Sequence, residues 1–349
     1  MGGNVVIDGC KPQPFLLKDR LVNRILIVDM LVHLNTCCHY GIFGTENKAI
    51  FNLTAFSGSS KHYMDATLQH KDLSVKQEYG DVDIIVSPEV EYLLEKALVR
   101  GRRYGDFLVV GYKKIASSFS CVMQRIGWDE YHQFDFEFKD YDSETSCPTE
   151  FAQWSQSVAL IDLQAGIKGT FHKHLISSIL QKDEAVRIIE HKTKTGLVYQ
   201  PGVVRAYTFA QTHGIRPKFI PGTVLGTYRE PTKERHIYVR NMEQIQHILF
   251  PPPRRPRPDP DISSFIGLAG SLLNWYTTDV REKIFEVFIG RLFDHKAMSP
   301  IDYDKIDDES IKRSIIRGLH VQLALPTMLR YEQLVNSSSA AYYAAWKHK

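Results

Sequence analysis

The sequence predicts an α+β protein: a mixed, mostly antiparallel sheet flanked by helices, then a β-rich insertion and a helical C-terminal module. Three observations carry this expectation. β-Branched or strictly alternating runs cluster between residues 80 and 138, interleaved with stretches of helical periodicity. Residues 185–240 are again rich in β-branched residues with Gly and Pro punctuation, as in VYQPGVV and IPGTVLGTY. Residues 251–260 (PPPRRPRPDP) hold six prolines, which exclude a helix or a central strand and predict a semi-rigid linker. The expected domains are therefore residues 1–184, a β-rich 185–250, a linker 251–261 and a helical 262–349.

The elements follow in order. Residues 18–36 place Leu21, Ile25, Val28, Leu31 and Val32 at helical spacing, predicting an amphipathic helix with these as its apolar residues. AIFNLTAF (49–56) reads as a strand, Ser57-Gly58-Ser59-Ser60 as a tight polar turn, and 61–69 as a short helix. Gly80-Asp81-Val82-Asp83-Ile84-Ile85-Val86 reads as a strand stopped by Ser87-Pro88, with the proline placed to start a helix that ends at Gly101. Strands are expected at 106–111, at 117–125 and at QFDFEF (133–138), where Phe134, Phe136 and Phe138 share one face and Gln133, Asp135 and Glu137 the other. An acidic loop (140–150) precedes PTEFAQWSQS and DLQAGIKGTFHKHLISSIL, both mainly helical.

The 349 residues suit two domains, and 43% hydrophobic content excludes wholesale disorder. No apolar run is long enough to span a membrane, and the N-terminus lacks a signal-peptide pattern. The net charge of +3 divides unevenly: residues 1–150 carry 16 basic and 21 acidic side chains, residues 151–349 carry 27 and 19. An acidic half can hold cations and a basic half phosphates, although solvated faces account for the counts as well. Cys10, Cys37, Cys38, Cys121 and Cys147 contain no CxxC pair, which points to reduced thiols, a cytoplasmic location and no cysteine-based zinc site.

Asp81 and Asp83, one residue apart on a strand, send their carboxylates from the same face. Two such charges repel unless a cation lies between them or one is protonated, and a hard cation such as Mg2+ suits oxygen ligands. Asp135 supplies a third carboxylate from another strand, with Glu137 on the same face as an alternative. Gly58, Ser59 and Ser60 lie between a strand and a helix, where backbone N–H groups and hydroxyls could cradle a triphosphate. Taken singly, a DxD strand is commonly a solvated edge and a Gly-Ser turn only a turn; their order along the chain adds the weight. Lys168 is a candidate phosphate contact or a solvated lysine, and His172, Lys173 and His174 face phosphates or lie on a helix surface. Arg102 and Arg103 are read as capping the helix that ends near residue 100. Trp128, Trp154, Trp275 and Trp346 are read as core or interface anchors, and Arg254, Arg255 and Arg257 as linker residues able to touch phosphate.

FSGSS, then GDVDIIVSPE, then QFDFEF together resemble the DNA polymerase β-type nucleotidyltransferase superfamily, and PTEFAQWSQSVALIDLQAGIKGTFHKHLISSIL resembles nucleotidyltransferases of viruses and tailed phages. The resemblance covers roughly residues 50–180. It implies that residues 1–184 form a catalytic domain, that Gly58, Ser59 and Ser60 hold nucleotide phosphates, and that Lys168 contacts triphosphate or substrate. Asp81, Asp83 and Asp135 would bind Mg2+ or Mn2+, with Asp135 also helping to deprotonate the acceptor. The implied activity moves a nucleoside monophosphate from an NTP to an acceptor hydroxyl, on a nucleic-acid end or a protein side chain, releasing pyrophosphate. The gap between Ser59 and Asp81 is longer than in compact members of the superfamily. The competing expectation is a non-catalytic protein that keeps the fold. If the chain is viral, its compartment is the host cytoplasm.

Overall fold

A computed structural model describes residues 5–37, 55–69, 76–115, 117–142, 144–145, 147–156, 158–164, 169–182, 185–193, 196–204, 207–211, 213–217, 227–228, 238–251 and 257–294. The chain divides into two compact units, residues 1–169 and 170–349. The division falls after the first residue of the helix Gly169–Gln181.

The first unit opens with β1 (Phe15–Leu16), a single 3-10 turn and α1 (Arg20–Thr36). Helix α1 buries Ile27, Met30, Leu31 and Leu34 together with Arg20 and Asn23, whereas Leu21, Ile25 and Val32 are exposed. The expected apolar set is thus mostly on the outside. Both sides of α1 are apolar, so periodicity does not choose between them; Arg20 does. Its guanidinium donates to the carbonyls of Tyr63 (2.7 Å), Leu68 (2.8 Å) and Asp65, which lie on the inner side. Those carbonyls belong to the end of α2 (Gly58–Met64) and the residues after it. Helix α2 begins at Gly58, so Gly58, Ser59 and Ser60 form its first turn rather than a turn before a helix at 61–69. Gly58 takes a left-handed φ of +56°, a conformation glycine adopts without the Cβ clash other residues suffer. Of the strand expected at 49–56, Phe56 bridges Ile84 in antiparallel fashion, and residues 49–54 lie outside the described residues.

After β2 (Glu78–Tyr79), which pairs with β1, comes β3 (Asp81–Val86). Pro88 starts a 3-10 turn leading into α3 (Glu91–Ala97), and Arg102 donates to the Lys96 carbonyl at its end (3.3 Å). Arg103 instead sits in β4 (Arg103–Tyr104). Strands β5 (Phe107–Ile115), β6 (Ser118–Arg125) and β7 (Glu130–Phe138) form a meander, and the sheet order is β3-β7-β6-β5-β4. Every pairing is antiparallel except β3 with β7. The sheet is therefore mixed, with a parallel seam along β3 and β7.

One face of this sheet is the core. Val82, Ile84 and Val86 from β3, Phe134, Phe136 and Phe138 from β7, and Phe119, Cys121 and Met123 from β6 are buried with the inner side of α1. The opposite face carries Asp81, Asp83, Gln133, Asp135 and Glu137. The acidic loop contains a two-residue ladder, β8 (Tyr141–Asp142) with β9 (Cys147–Pro148), before α4 (Glu150–Gln156) and α5 (Leu160–Gln164). Trp154 is buried, while Trp128 is exposed and stacks under Arg125 (4.9 Å to the ring centre); it is no core anchor.

The second unit starts within α6 (Gly169–Gln181), at Thr170. Strands β10 (Ala185–Thr193) and β11 (Gly196–Val204) pair antiparallel, β12 (Tyr207–Ala210) pairs with β13 (Gly214–Pro217), and β14 (Thr227–Tyr228) adds to β10 in parallel. These strands lie in the zone expected to be β-rich. Helices α7 (Met242–Leu249), α8 (Phe265–Trp275) and α9 (Thr278–Asp294) follow, the first two capped by the side chains of Asn241 and Ser264. Phe171, Phe265 and Phe288 form an aromatic cluster with ring centres 5.5–5.9 Å apart. His172 is buried beside it, its Nε2 donating to the Ile262 carbonyl (2.9 Å), and His174 is buried too. Neither histidine lies on a helix surface or faces open solvent. Residues 252–256 with Arg254 and Arg255, residues 295–349 with Trp346, Cys38 and Lys168 lie outside the described residues.

Candidate metal centre

The parallel register sets Asp83 opposite Asp135 and Asp81 opposite Gln133. Alternation along each strand then brings all three aspartates to one face. One ligand oxygen from each of Asp81, Asp83 and Asp135 lies within 4.8 Å of the other two. Asp135 is buried at 9% exposure, the other two half-buried.

Each carboxylate is held by neighbours. Gln133 Nε2 donates to both oxygens of Asp135, at 2.9 and 3.1 Å, and its own Oε1 accepts from the Val5 backbone (2.9 Å). The Ser60 hydroxyl accepts from the Asp83 backbone N–H (2.9 Å) and donates toward the Asp83 carboxylate (3.5 Å). Ser57 joins α2 to the edge of β3, its N–H donating to the Asp83 carbonyl (3.1 Å). Its hydroxyl donates to Glu137 Oε2 (3.1 Å). Glu137 thus accepts from Ser57 and stands outside the group of three whose oxygens lie within 4.8 Å of one another. A Cβ on Gly58 would come within 2.9 Å of Asp83 Oδ2, so the glycine is needed both for its φ and for the space beside that oxygen.

Two lysines border the cluster. The Lys76 ammonium donates to the Ser59 hydroxyl (2.5 Å). Lys139 continues β7 on the acidic face, its N–H donating to the Val86 carbonyl (3.1 Å), and is 6% exposed. Burial lowers the proton affinity of both, while Asp81 and Asp83 act against this for Lys76, and Glu137 and Asp83 for Lys139.

Crowding shows in the acids themselves. Burial, then Asp81, Glu137 and Asp135, push the Asp83 carboxyl well above the ordinary range. Asp81 is also raised by burial and by Glu137, against the pull of Lys76. Asp135 is pushed up to about 6 by burial and by Asp81, against hydrogen bonds from Gln133 and Ser120. Three crowded carboxylates with raised proton affinity, one buried and two half-buried, all offering oxygen, form a donor set that fits a hard divalent cation, which would relieve the same repulsion that protons relieve.

Of the residues singled out in the sequence, Asp81, Asp83, Asp135, Gly58 and Ser60 meet here, with Ser59 at the margin through Lys76. Lys168 lies outside the described residues. The sequence reading places Ser57 in the turn and Gln133 on the face of Asp135 but gives neither a role, and it does not single out Lys76 or Lys139; the contacts of Lys76 and Ser57 with the site are tertiary. Comparison of the chain with protein-family models, with curated proteins and with solved structures finds no match.

Proposed function

We propose that this chain is a divalent-cation-dependent nucleotidyltransferase. It moves a nucleoside monophosphate from an NTP to an acceptor hydroxyl and releases pyrophosphate. The observation that carries the reading is the convergence of Asp81, Asp83 and Asp135 within 4.8 Å across a parallel strand pair. Mg2+ or Mn2+ held there would offset phosphate charge as it redistributes during displacement. Asp81, Asp83 and Asp135 would be its ligands. Asp135, steadied at both oxygens by Gln133, is also the group to receive the acceptor hydroxyl's proton. Gly58, Ser59 and Ser60, beside Asp83, would hold the nucleotide's phosphates. Lys168 is proposed to touch triphosphate or substrate.

The acceptor is proposed to be a nucleic-acid end or a protein side chain, with the basic residues of 151–349 supplying its docking charge. Incubation with each labelled NTP, Mg2+ or Mn2+, and a mixed pool of RNA, DNA and protein tests the reading, because the label's destination identifies the acceptor class. Asp83→Asn should abolish transfer with the fold retained by circular dichroism. Undiminished transfer by that variant would end the proposal.

A further inference from the structure

Helix α1 carries two apolar stripes, and the core uses only the inner one, Ile27, Met30, Leu31 and Leu34. Leu21, Ile25, Val28 and Val32 form the outer stripe. Leu21 is 71% and Ile25 70% exposed, Val32 is exposed, and Val28 is half-buried. Large aliphatic side chains in a row gain free energy when water is removed from them, and monomers seldom display such a row. The spacing indicates what covers it. The four residues follow one another in alternating steps of four and three, the repeat of a coiled-coil seam. Leu21 and Val28 then take heptad position d, and Ile25 and Val32 take position a. β-Branched residues at a with leucine at d favour two parallel strands.

The charges flanking the stripe fit the same arrangement. In this heptad frame Arg24 is at g and Asp29 at e, five residues further on. In a parallel pair, g of one helix meets the following e of the other, so each Arg24 meets an Asp29 across the seam. In an antiparallel pair g faces g and e faces e, and the two would not meet. Arg24 donates from Nε to the Met64 carbonyl (3.0 Å), which leaves its terminal nitrogens for this contact. Asp29 is exposed, with His33 Nδ1 of its own helix at 3.3 Å. We infer that two copies of this chain associate through α1 as a parallel two-helix seam. Leu21, Ile25, Val28 and Val32 meet their counterparts there, and Arg24 of each copy pairs with Asp29 of the other. The core of each copy lies behind its own helix, so the fold need not open. The seam from Leu21 to Val32 is only about 17 Å long, which sets the expected affinity in the micromolar range. The inference is independent of the nucleotidyltransferase reading.

The test is sedimentation velocity on the full-length chain over a concentration series reaching about 100 μM, with circular dichroism as the check on folding. The wild type should pass from one copy to two across the series. Ile25→Glu, at an exposed position, should stay folded and raise the dimer Kd by about 30-fold or more. Arg24→Glu and Asp29→Arg, each alone, should weaken association several-fold by setting like charges together. An equal mixture of these two variants should associate as tightly as wild type, because opposite charges then meet on both flanks. Ile25→Cys should form a disulfide with the same position of the second copy under mild oxidation, where the wild type does not; this readout needs no charge variant. A wild type that remains a single copy throughout the series would overturn the inference, since another part of the chain or water alone then meets the stripe. So would a dimer whose Kd is unmoved by Ile25→Glu, or a mixture no tighter than either charge variant by itself. Cross-linking of Ile25→Cys only to Val28→Cys would show an antiparallel seam and overturn it as well.

Discussion

Replacing Asp135 by asparagine should make the cation-free protein more stable, an unusual result for a residue placed at the centre of a site. Its carboxyl is pushed from 3.8 up to about 6 by burial and by Asp81. That difference corresponds to roughly 3 kcal/mol, which the fold loses when the group ionises. The sign follows from proton counting: between these two values the folded state holds more protons than the unfolded chain, so stability rises as pH falls from above 6 toward 4. Above about pH 7 the full cost is present. Asparagine removes the charge, keeps an acceptor for Gln133 Nε2, and eases Asp83, which feels the same charge. In the presence of a chelator at pH 8, the variant should gain about 2–3 kcal/mol, or roughly 5–10 °C in Tm for a unit of this size. At pH 4 the two proteins should unfold together. Mn2+ should raise the Tm of the wild type at pH 8 and leave the variant nearly unmoved. Thermal unfolding across this pH range, with and without chelator, is the assay. A variant less stable than the wild type at pH 8 in chelator would refute the electrostatic account of the cluster.

The remaining predictions concern the supports of the site and the second unit. Gly58→Ala places a Cβ at a left-handed φ and against Asp83 Oδ2; it should cost about 1–2 kcal/mol by urea unfolding and weaken Mn2+ binding several-fold in calorimetry. Arg20→Met strands the carbonyls of Tyr63 and Leu68 and should cost about 3 kcal/mol, with amide exchange rising first in residues 58–68. His172, held down to about 4 by burial, is neutral in the folded state. Because its folded value lies below the ordinary 6.5, stability is intact above pH 6.5 and declines by about 3 kcal/mol as pH falls to 4. His172→Gln should flatten that decline in acid unfolding of the whole chain.

The site was more legible than its scaffold, for definite reasons. Asp81, Asp83 and Asp135 could be placed on one face because strand alternation is a local rule, and the parallel register then aligned Asp83 with Asp135. The ends of β5 and β7 were harder, since both strands extend past the alternating cores that announce them. Helix α1 misled because Leu21 and Ile25 are as apolar as Ile27 and Met30, and the arbiter, Arg20, bonds to residues more than forty positions away. Glycine's low helix propensity made Gly58-Ser59-Ser60 read as a turn, yet at a first helical turn that penalty is small. Lys76 carried no sequence signal, because its meaning arises only when residues 76 and 59 meet.

Strand β7 is the last of the five to leave the ribosome, yet its berth is interior, between β3 and β6. A nascent chain stopped short of Glu130 would possess Asp81 and Asp83 but no partner to zip along β3 and no Asp135. The three-carboxylate grip thus arrives all at once, with the closing of the sheet. Completing this one strand is what brings the three carboxylates together.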